Sequence, residues 1–232
     1  MLPLLLPLLA AADPAPAARL PIATRWQVVT ATARLSEGDL RPFSASAVCV
    51  GCKDGFAYLL TASHAAPESK ARVFDFFTKD SHPQPARQIV GGEYVARQPE
   101  ADLLLVKVEV GADPVPVLRL APPGQRPTPA RLPVTAFACG CPEGVAPEVR
   151  TEALTGKRLL VRGKGEVAFF WQTDTAPVGG MSGGPLVDAE GRVIGLCTAA
   201  QGGHGYYAHA DEVLAFLKKS GYGWLIDAPV GR

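Results

Sequence analysis

Between Gly111 and Pro133 the chain carries seven prolines in 23 residues, a density that forbids a central strand and suits an extended connector. On either side the text is short runs rich in Val, Thr, Phe and Tyr, broken by Gly, Pro and Asp, the pattern of an all-β barrel or sandwich. Before the connector we read strands near Trp26 to Ala33, Ser44 to Val50, Phe56 to Ala62, Ala71 to Phe77, Gln88 to Ala96 and Leu103 to Val108. After it we read Val134 to Ala138, Arg150 to Val161, Glu166 to Thr173, Pro185 to Val187, Val193 to Ala199 and Tyr206 to His209. The expected fold is all-β: two six-stranded antiparallel barrels, residues 26–110 and 134–232, joined by the 111–133 connector. One helix is expected at 211–219, with Val213, Leu214, Phe216 and Leu217 on one side and charges that complement the helix dipole.

The 232 residues are 47% hydrophobic, enough for one sizeable core or two small barrels sharing a cleft, and the formal charge is only +1. With no basic stripe and no run of like charge, neither nucleic acid nor an anionic membrane surface is an expected partner. Residues 1–12 end in Ala10-Ala11-Ala12 and read as an export signal with a small-residue cleavage site, followed by a linker over 13–25. The apolar run from Leu2 to Ala12 is too short to span a bilayer, and no cysteine follows it to take a lipid, so no stable membrane anchor is expected. The resulting expectation is a secreted or periplasmic protein.

The chemistry concentrates in Gly179-Gly180-Met181-Ser182-Gly183-Gly184-Pro185-Leu186, where one small nucleophile sits among glycines whose amides can converge on an oxyanion. A serine hydroxyl needs a histidine base, and that base needs a carboxylate to fix its tautomer. His64 ends the apolar run from Phe56 through Thr61-Ala62-Ser63, and Asp102 opens the run Leu103 to Val108, which reads as buried on both faces. The other histidines, His82, His204 and His209, lack such a setting. The order His64, Asp102, Ser182, with separations of 38 and 80 residues, is that of the chymotrypsin lineage.

On these motifs the chain resembles a trypsin-like serine protease. Trp171 to Ala176 and Val193 to Leu196 resemble the bacterial HtrA-like branch, here with no space expected after Gly221 for an appended peptide-binding (PDZ) domain. The resemblance implies a serine endopeptidase acting on polypeptides without a cofactor, with His64 and Asp102 on one barrel and Ser182 on the other. It implies backbone N–H groups of Gly180 and Ser182 as oxyanion donors. Thr198 stands where the family has a hydroxyl that supports the acid, against the plain reading of a strand threonine. Ala176, Ala200 and Gly205 align with the substrate pocket, and alanine at 176 favours a small or medium apolar side chain over a basic one. Met181 replaces the aspartate that receives a freed amino terminus in zymogen-activated relatives, so no such activation is expected, although Arg87 to Gly92 imitates an activation sequence. Competing readings are a non-catalytic peptide-binding module and a protease gated by cysteine or zinc.

Five cysteines cannot all pair. Cys197, in an apolar strand, reads as a buried inert thiol. Cys49, Cys52, Cys139 and Cys141 are open to three states: two disulfides, a tetrahedral thiolate zinc site, or unlinked thiols.

Overall fold

The computed structural model describes residues 19–37, 40–66, 72–162 and 165–227; the expected export signal lies outside them. The first element among the described residues is helix α1 (Ile22–Ala31), followed by β1 (Thr32–Glu37), β2 (Leu40–Lys53), β3 (Phe56–Ala62), β4 (Arg72–Phe76), β5 (Arg87–Val90), β6 (Glu93–Gln98) and β7 (Leu103–Glu109). These strands form one antiparallel sheet in the order β5-β4-β1-β2-β3-β7-β6. After the connector come β8 (Val134–Gly140), β9 (Glu148–Arg162), β10 (Glu166–Thr173), β11 (Pro185–Val187), β12 (Val193–Gln201), β13 (His204–His209) and α2 (Ala210–Lys219). Here six strands close into a barrel in the order β10-β13-β12-β11-β8-β9.

The all-β expectation holds, with three adjustments, the first being that the strand expected over Ser44 to Val50 runs from Leu40 to Lys53. Asp54-Gly55, both at positive φ, turn β2 into β3 across a two-residue loop, so Lys53 faces Phe56. The run Gln88 to Ala96, expected as one strand, is two, because Gly91 and Gly92 take φ of 112° and 100° and break the ladder. The first sheet therefore has seven strands rather than six, and its order runs from β5 to β6 without closing, so of the two expected barrels only the second is closed.

The third adjustment is a correction: Trp26 to Ala31 is helical, not the start of a strand. Its β-branched residues favour a strand locally, but tertiary burial outweighs a preference worth only a few tenths of a kcal/mol per residue, about 0.5. Val28 and Val29 enter a core with Leu20, Phe137 and Cys139, and the Thr30 hydroxyl donates to the Trp26 carbonyl at 2.8 Å. The helix thus starts ahead of the first sheet yet packs on β8 and β9 of the barrel.

Alternation along β7 shows how the cores divide. Leu103 and Leu105 face the cluster shared with Leu118, Phe137, Phe170, Leu196 and Phe216, while Leu104, Val106 and Val108 face Leu35, Leu59 and Phe74 within the first sheet. The connector is stitched to both units: Leu118 N–H donates to the Cys49 carbonyl at 2.9 Å and Ala121 N–H to that of Val193 at 2.9 Å. Extended backbone lets it bond outward to two sheets despite its missing proline donors.

Helix α2 packs Val213, Phe216 and Leu217 into the shared core. His209 caps it, its Nδ1 accepting from the Asp211 N–H at 3.0 Å, while Asp211 and Glu212 begin the helix and Lys218 and Lys219 end it. That cap requires a neutral imidazole, and burial, then Lys157, pushes His209 down to about 4. Opposite in sign is Glu152, which β9 turns into the barrel; its Oε2 has no hydrogen-bond partner among the described residues, and burial, then Asp174, pushes it up to about 7.

Both groups make stability depend on pH. A histidine depressed from 6.5 contributes fully above pH 6.5 and loses its contribution as pH falls toward 4. In urea unfolding, wild type should lose about 1–3 kcal/mol more than His209→Asn, whose amide caps without titrating, between about pH 7.5 and 5. A carboxyl raised from 4.5 costs nothing below pH 4.5 and its full penalty above 7. Glu152→Gln should therefore gain about 2–3 kcal/mol on wild type at pH 8 compared with pH 4.5, measured the same way.

Candidate active site

The pairing of β3 with β7 sets Ala62 opposite Leu103, so the residues just beyond these two strand ends meet. Ser63–Ala65 leave β3 as a short 3-10 turn carrying His64, and Asp102 immediately precedes β7. The Asp102 carboxylate holds His64 twice: Oδ1 accepts the backbone N–H at 2.8 Å, and Oδ2 lies 2.6 Å from Nδ1. Asp102 is 3% exposed and the His64 side chain 43%, so the acid is sheltered while the ring faces solvent. A carboxylate on Nδ1 keeps the proton there and leaves Nε2 as the basic nitrogen.

Asp102 adopts φ of 58°, a conformation unusual for a residue with a side chain. Its neighbours enforce it: Asp102 N–H donates to the Pro99 carbonyl at 3.1 Å, and its own carbonyl accepts from the Ser63 N–H at 3.0 Å. Arg97 braces the other side, donating to Ser63 Oγ at 2.6 Å and to the Ser63 carbonyl at 2.9 Å.

Ser182 lies in the turn between β10 and β11, on the barrel rather than the first sheet. Barrel strands hold the turn from behind: Gly183 N–H donates to the Cys197 carbonyl at 2.7 Å, and Cys197 N–H donates to Gly184 at 2.8 Å. Met181, the residue that departs from the zymogen pattern, is buried with Trp171, Leu186 and Tyr207 and anchors the loop. From the front the loop meets the first sheet. A Cβ on Gly183 would fall 2.3 Å from Thr61 Oγ1 and 2.6 Å from the Ala62 nitrogen, so only glycine lets the Ser182 turn reach the strand that carries His64.

Gly180 has φ of 88°, and a Cβ there would sit 2.2 Å from the Cys141 carbonyl oxygen. Among the described residues no backbone carbonyl accepts from the N–H of Gly180 or of Ser182, the two expected oxyanion donors. Nor does a hydrogen bond join the Ser182 hydroxyl to His64; such contacts tighten when substrate fills a site.

Ser46, on β2, carries no local sequence signal yet joins the Ser182 turn to the strand that leads to His64. Its N–H donates to the Ser182 carbonyl at 2.8 Å, and its hydroxyl donates to the Gly180 carbonyl at 2.8 Å while accepting from the Cys141 N–H at 2.8 Å. Its own carbonyl accepts from Thr61 Oγ1 at 2.7 Å. Holding the Gly180 carbonyl toward β2 fixes the orientation of the adjoining peptides. Glu143 N–H completes the support, donating to the Gly179 carbonyl at 2.7 Å.

Gly205 pairs with both Ala200 and Thr173, and the turn containing Ala176 lies over it, so the three expected pocket positions come together. The space above Gly205 is narrow: a Cβ would approach the Thr175 carbonyl to 2.8 Å and Pro177 to 3.0 Å. Thr198 is buried, and its hydroxyl donates to the Leu196 carbonyl at 3.2 Å, within its own strand.

The tetrahedral thiolate set is not assembled. Cys49 and Cys52 sit together on β2, whereas Cys139 and Cys141 are buried against the barrel, and among the described residues no group of three or more metal-binding side chains converges. The reason is topological: β2 and β8 belong to different sheets, and Cys139 faces the shared core. All five cysteines are free thiols. Burial pushes Cys139 up to about 12 and raises Cys141 and Cys197 as well, so these three are poor nucleophiles.

Known proteins share this architecture. A "Probable periplasmic serine endoprotease DegP-like" of Hahella chejuensis is 31% identical over 147 residues, 62% of this chain and 27% of the relative, so the chain spans about a quarter of that protein's length. The HtrA-type protease AlgW, solved with a tripeptide, is 26% identical with a TM-score of 0.66, covering 85% of this chain and 63% of AlgW. The active form of the Rv3671c protease from M. tuberculosis has the same fold at 18% identity and a TM-score of 0.66, covering 94% of each chain. The trypsin-like peptidase domain matches residues 45–196, from β2 through the Ser182 turn to β12, and the chain belongs to that family.

Proposed function

We propose that the protein is a serine endopeptidase that cleaves polypeptides through an acyl-enzyme on Ser182. The observation that carries this reading is the doubly held His64–Asp102 pair, with the Ser182 turn fastened by Ser46 to the strand beside it. Ser182 Oγ attacks the scissile carbonyl as His64 Nε2 takes its proton, and Asp102 stabilises the resulting imidazolium. The N–H groups of Gly180 and Ser182 receive the oxyanion of the tetrahedral intermediate. His64 then protonates the leaving amine, and a water activated by the same ring hydrolyses the acyl-enzyme. No step calls for a cofactor.

Family membership and the DegP-like relative support this chemistry, and the relative's periplasmic label together with the export-signal reading supports a secreted or periplasmic site of action. No helix among the described residues is long and apolar enough to cross a membrane. The small residues Ala176, Ala200 and Gly205, brought together by the pairing of Gly205 with Ala200, support a small or medium apolar side chain at the cut. Thr198 serves as a buried strand residue, its hydroxyl bonded to the Leu196 carbonyl of its own strand rather than to the acid.

The test is mass spectrometry after treatment with a fluorophosphonate probe. Ser182 should be labelled in wild type, and His64→Ala and Ser182→Ala should both abolish labelling; an unlabelled, folded wild type would instead mark a peptide-binding module. Gly180→Ala, which both clashes and strains the left-handed backbone, should lower kcat by about 100-fold or more in a peptidase assay. Ser46→Ala should lower kcat by about 10-fold with KM little changed, because it loosens the oxyanion peptides rather than the substrate pocket.

A further inference from the structure

Cys49 and Cys52 are three apart on one strand, a spacing that normally sends two side chains to opposite faces of a sheet. A β-bulge between Cys49 and Gly51 restores their parity: Cys49 pairs with Leu59 and Cys52 with Ala57, two residues on the same face of β3. The two sulfurs therefore lie 3.8 Å apart, in hydrogen-bond contact. They also differ in setting. Cys49 is fully buried, with its sulfur 3.6 Å from the Gly51 carbonyl, whereas Cys52 is half-buried at the end of the hairpin, 3.6 Å from the Val115 carbonyl on the connector.

We propose that Cys49 and Cys52 form a redox-active dithiol that closes reversibly to a local disulfide, with Cys52 as the attacking thiol and Cys49 as the resolving one. Neither sulfur takes part in the chemistry assigned to Ser182, so this site stands apart from the peptidase reading. The oxidant is a disulfide of low molecular weight or of a thiol oxidoreductase. The Cys52 thiolate attacks one sulfur of that disulfide, whose S–S bond breaks and releases one thiol, leaving a mixed disulfide on Cys52. The Cys49 sulfur then attacks Cys52 Sγ, gives up its proton to the departing thiolate, and releases the second thiol. The protein loses two hydrogens, and the oxidant gains them as two thiols.

The division of roles follows from the surroundings. The neighbouring Cys49 S–H stabilises the Cys52 thiolate and lowers Cys52 to about 7, while burial raises Cys49 well above the ordinary thiol range. A thiol that is hard to ionise is a slow attacker in bulk, but here its target is already within 3.8 Å. Closure needs the sulfurs to approach to about 2 Å, within reach of side-chain rotation on a strand already bent by the bulge.

The experiment equilibrates the full chain in glutathione buffers of graded oxidation, quenches with acid, alkylates free thiols after unfolding, and maps peptides by mass. In oxidised buffer wild type should retain three alkylatable thiols of its five, with Cys49 and Cys52 joined in one peptide that has lost two hydrogens. Reduced glutathione should restore all five. Cys49→Ser should stop at a glutathione adduct on Cys52, and Cys52→Ser should acquire neither adduct nor disulfide. Should Cys49→Ser fail to fold, wild type and Cys52→Ser still decide the matter. A wild type that keeps all five thiols in oxidised buffer, halts as the Cys52 adduct, or pairs either cysteine with Cys139, Cys141 or Cys197 would overturn the proposal.

Discussion

The arrangement depends on the polar crossing between the two sheets that centres on Ser46. Its backbone N–H and hydroxyl hold the carbonyls of Ser182 and Gly180, its hydroxyl also takes the Cys141 N–H, and its carbonyl takes the Thr61 hydroxyl two residues before the His64 turn. Ser46 is fully buried, so each of these bonds forms where water cannot compete and where a missing partner would be costly. An apolar interface alone would permit the barrel to slide against the first sheet by a fraction of a side chain. Directional bonds do not, and reaction geometry is sensitive at that scale.

Around this crossing the two halves share work unequally. The first sheet positions the acid and the base through strand register, since the pairing of Ala62 with Leu103 brings the ends of β3 and β7 together. The barrel supplies the Ser182 turn, held by Cys197 behind and by the Glu143 turn below. Strain is concentrated at the join: Asp102 and Glu143 are among the few non-glycine residues at positive φ, and Gly180 and Gly183 occupy places where a Cβ would collide with backbone. Such conformations persist only because the surrounding hydrogen bonds over-determine them.

The candidate site was largely legible in the sequence because its chemistry is carried by local words: a histidine closing an apolar run, an aspartate opening another, and a serine framed by glycines. Most strands were legible for a similar reason, as with Phe56 to Ala62 and Glu166 to Thr173, where composition and turn residues agree with the fold. What could not be read are features decided by partners distant in sequence. Helix α1 defeats its own β-branched composition because Val28 and Val29 find Phe137 and Cys139 more than a hundred residues away. Ser46 is one small polar residue among alanines until the Ser182 turn folds onto it.

The cysteines draw the same boundary. Their spacing alone admits disulfides, zinc or free thiols, and on a regular strand a gap of three residues would place Cys49 and Cys52 on opposite faces. A single inserted residue at the bulge reversed that, while the separation of β2 from β8 kept Cys139 and Cys141 apart from them. The sequence by itself determined the all-β class, the proline-rich break and the residue types available for acyl transfer, because periodicity and turn chemistry act over a few residues. Tertiary structure alone decided which faces meet, which carbonyls are held and which thiols touch, because those depend on register and burial between segments that the linear chain keeps far apart.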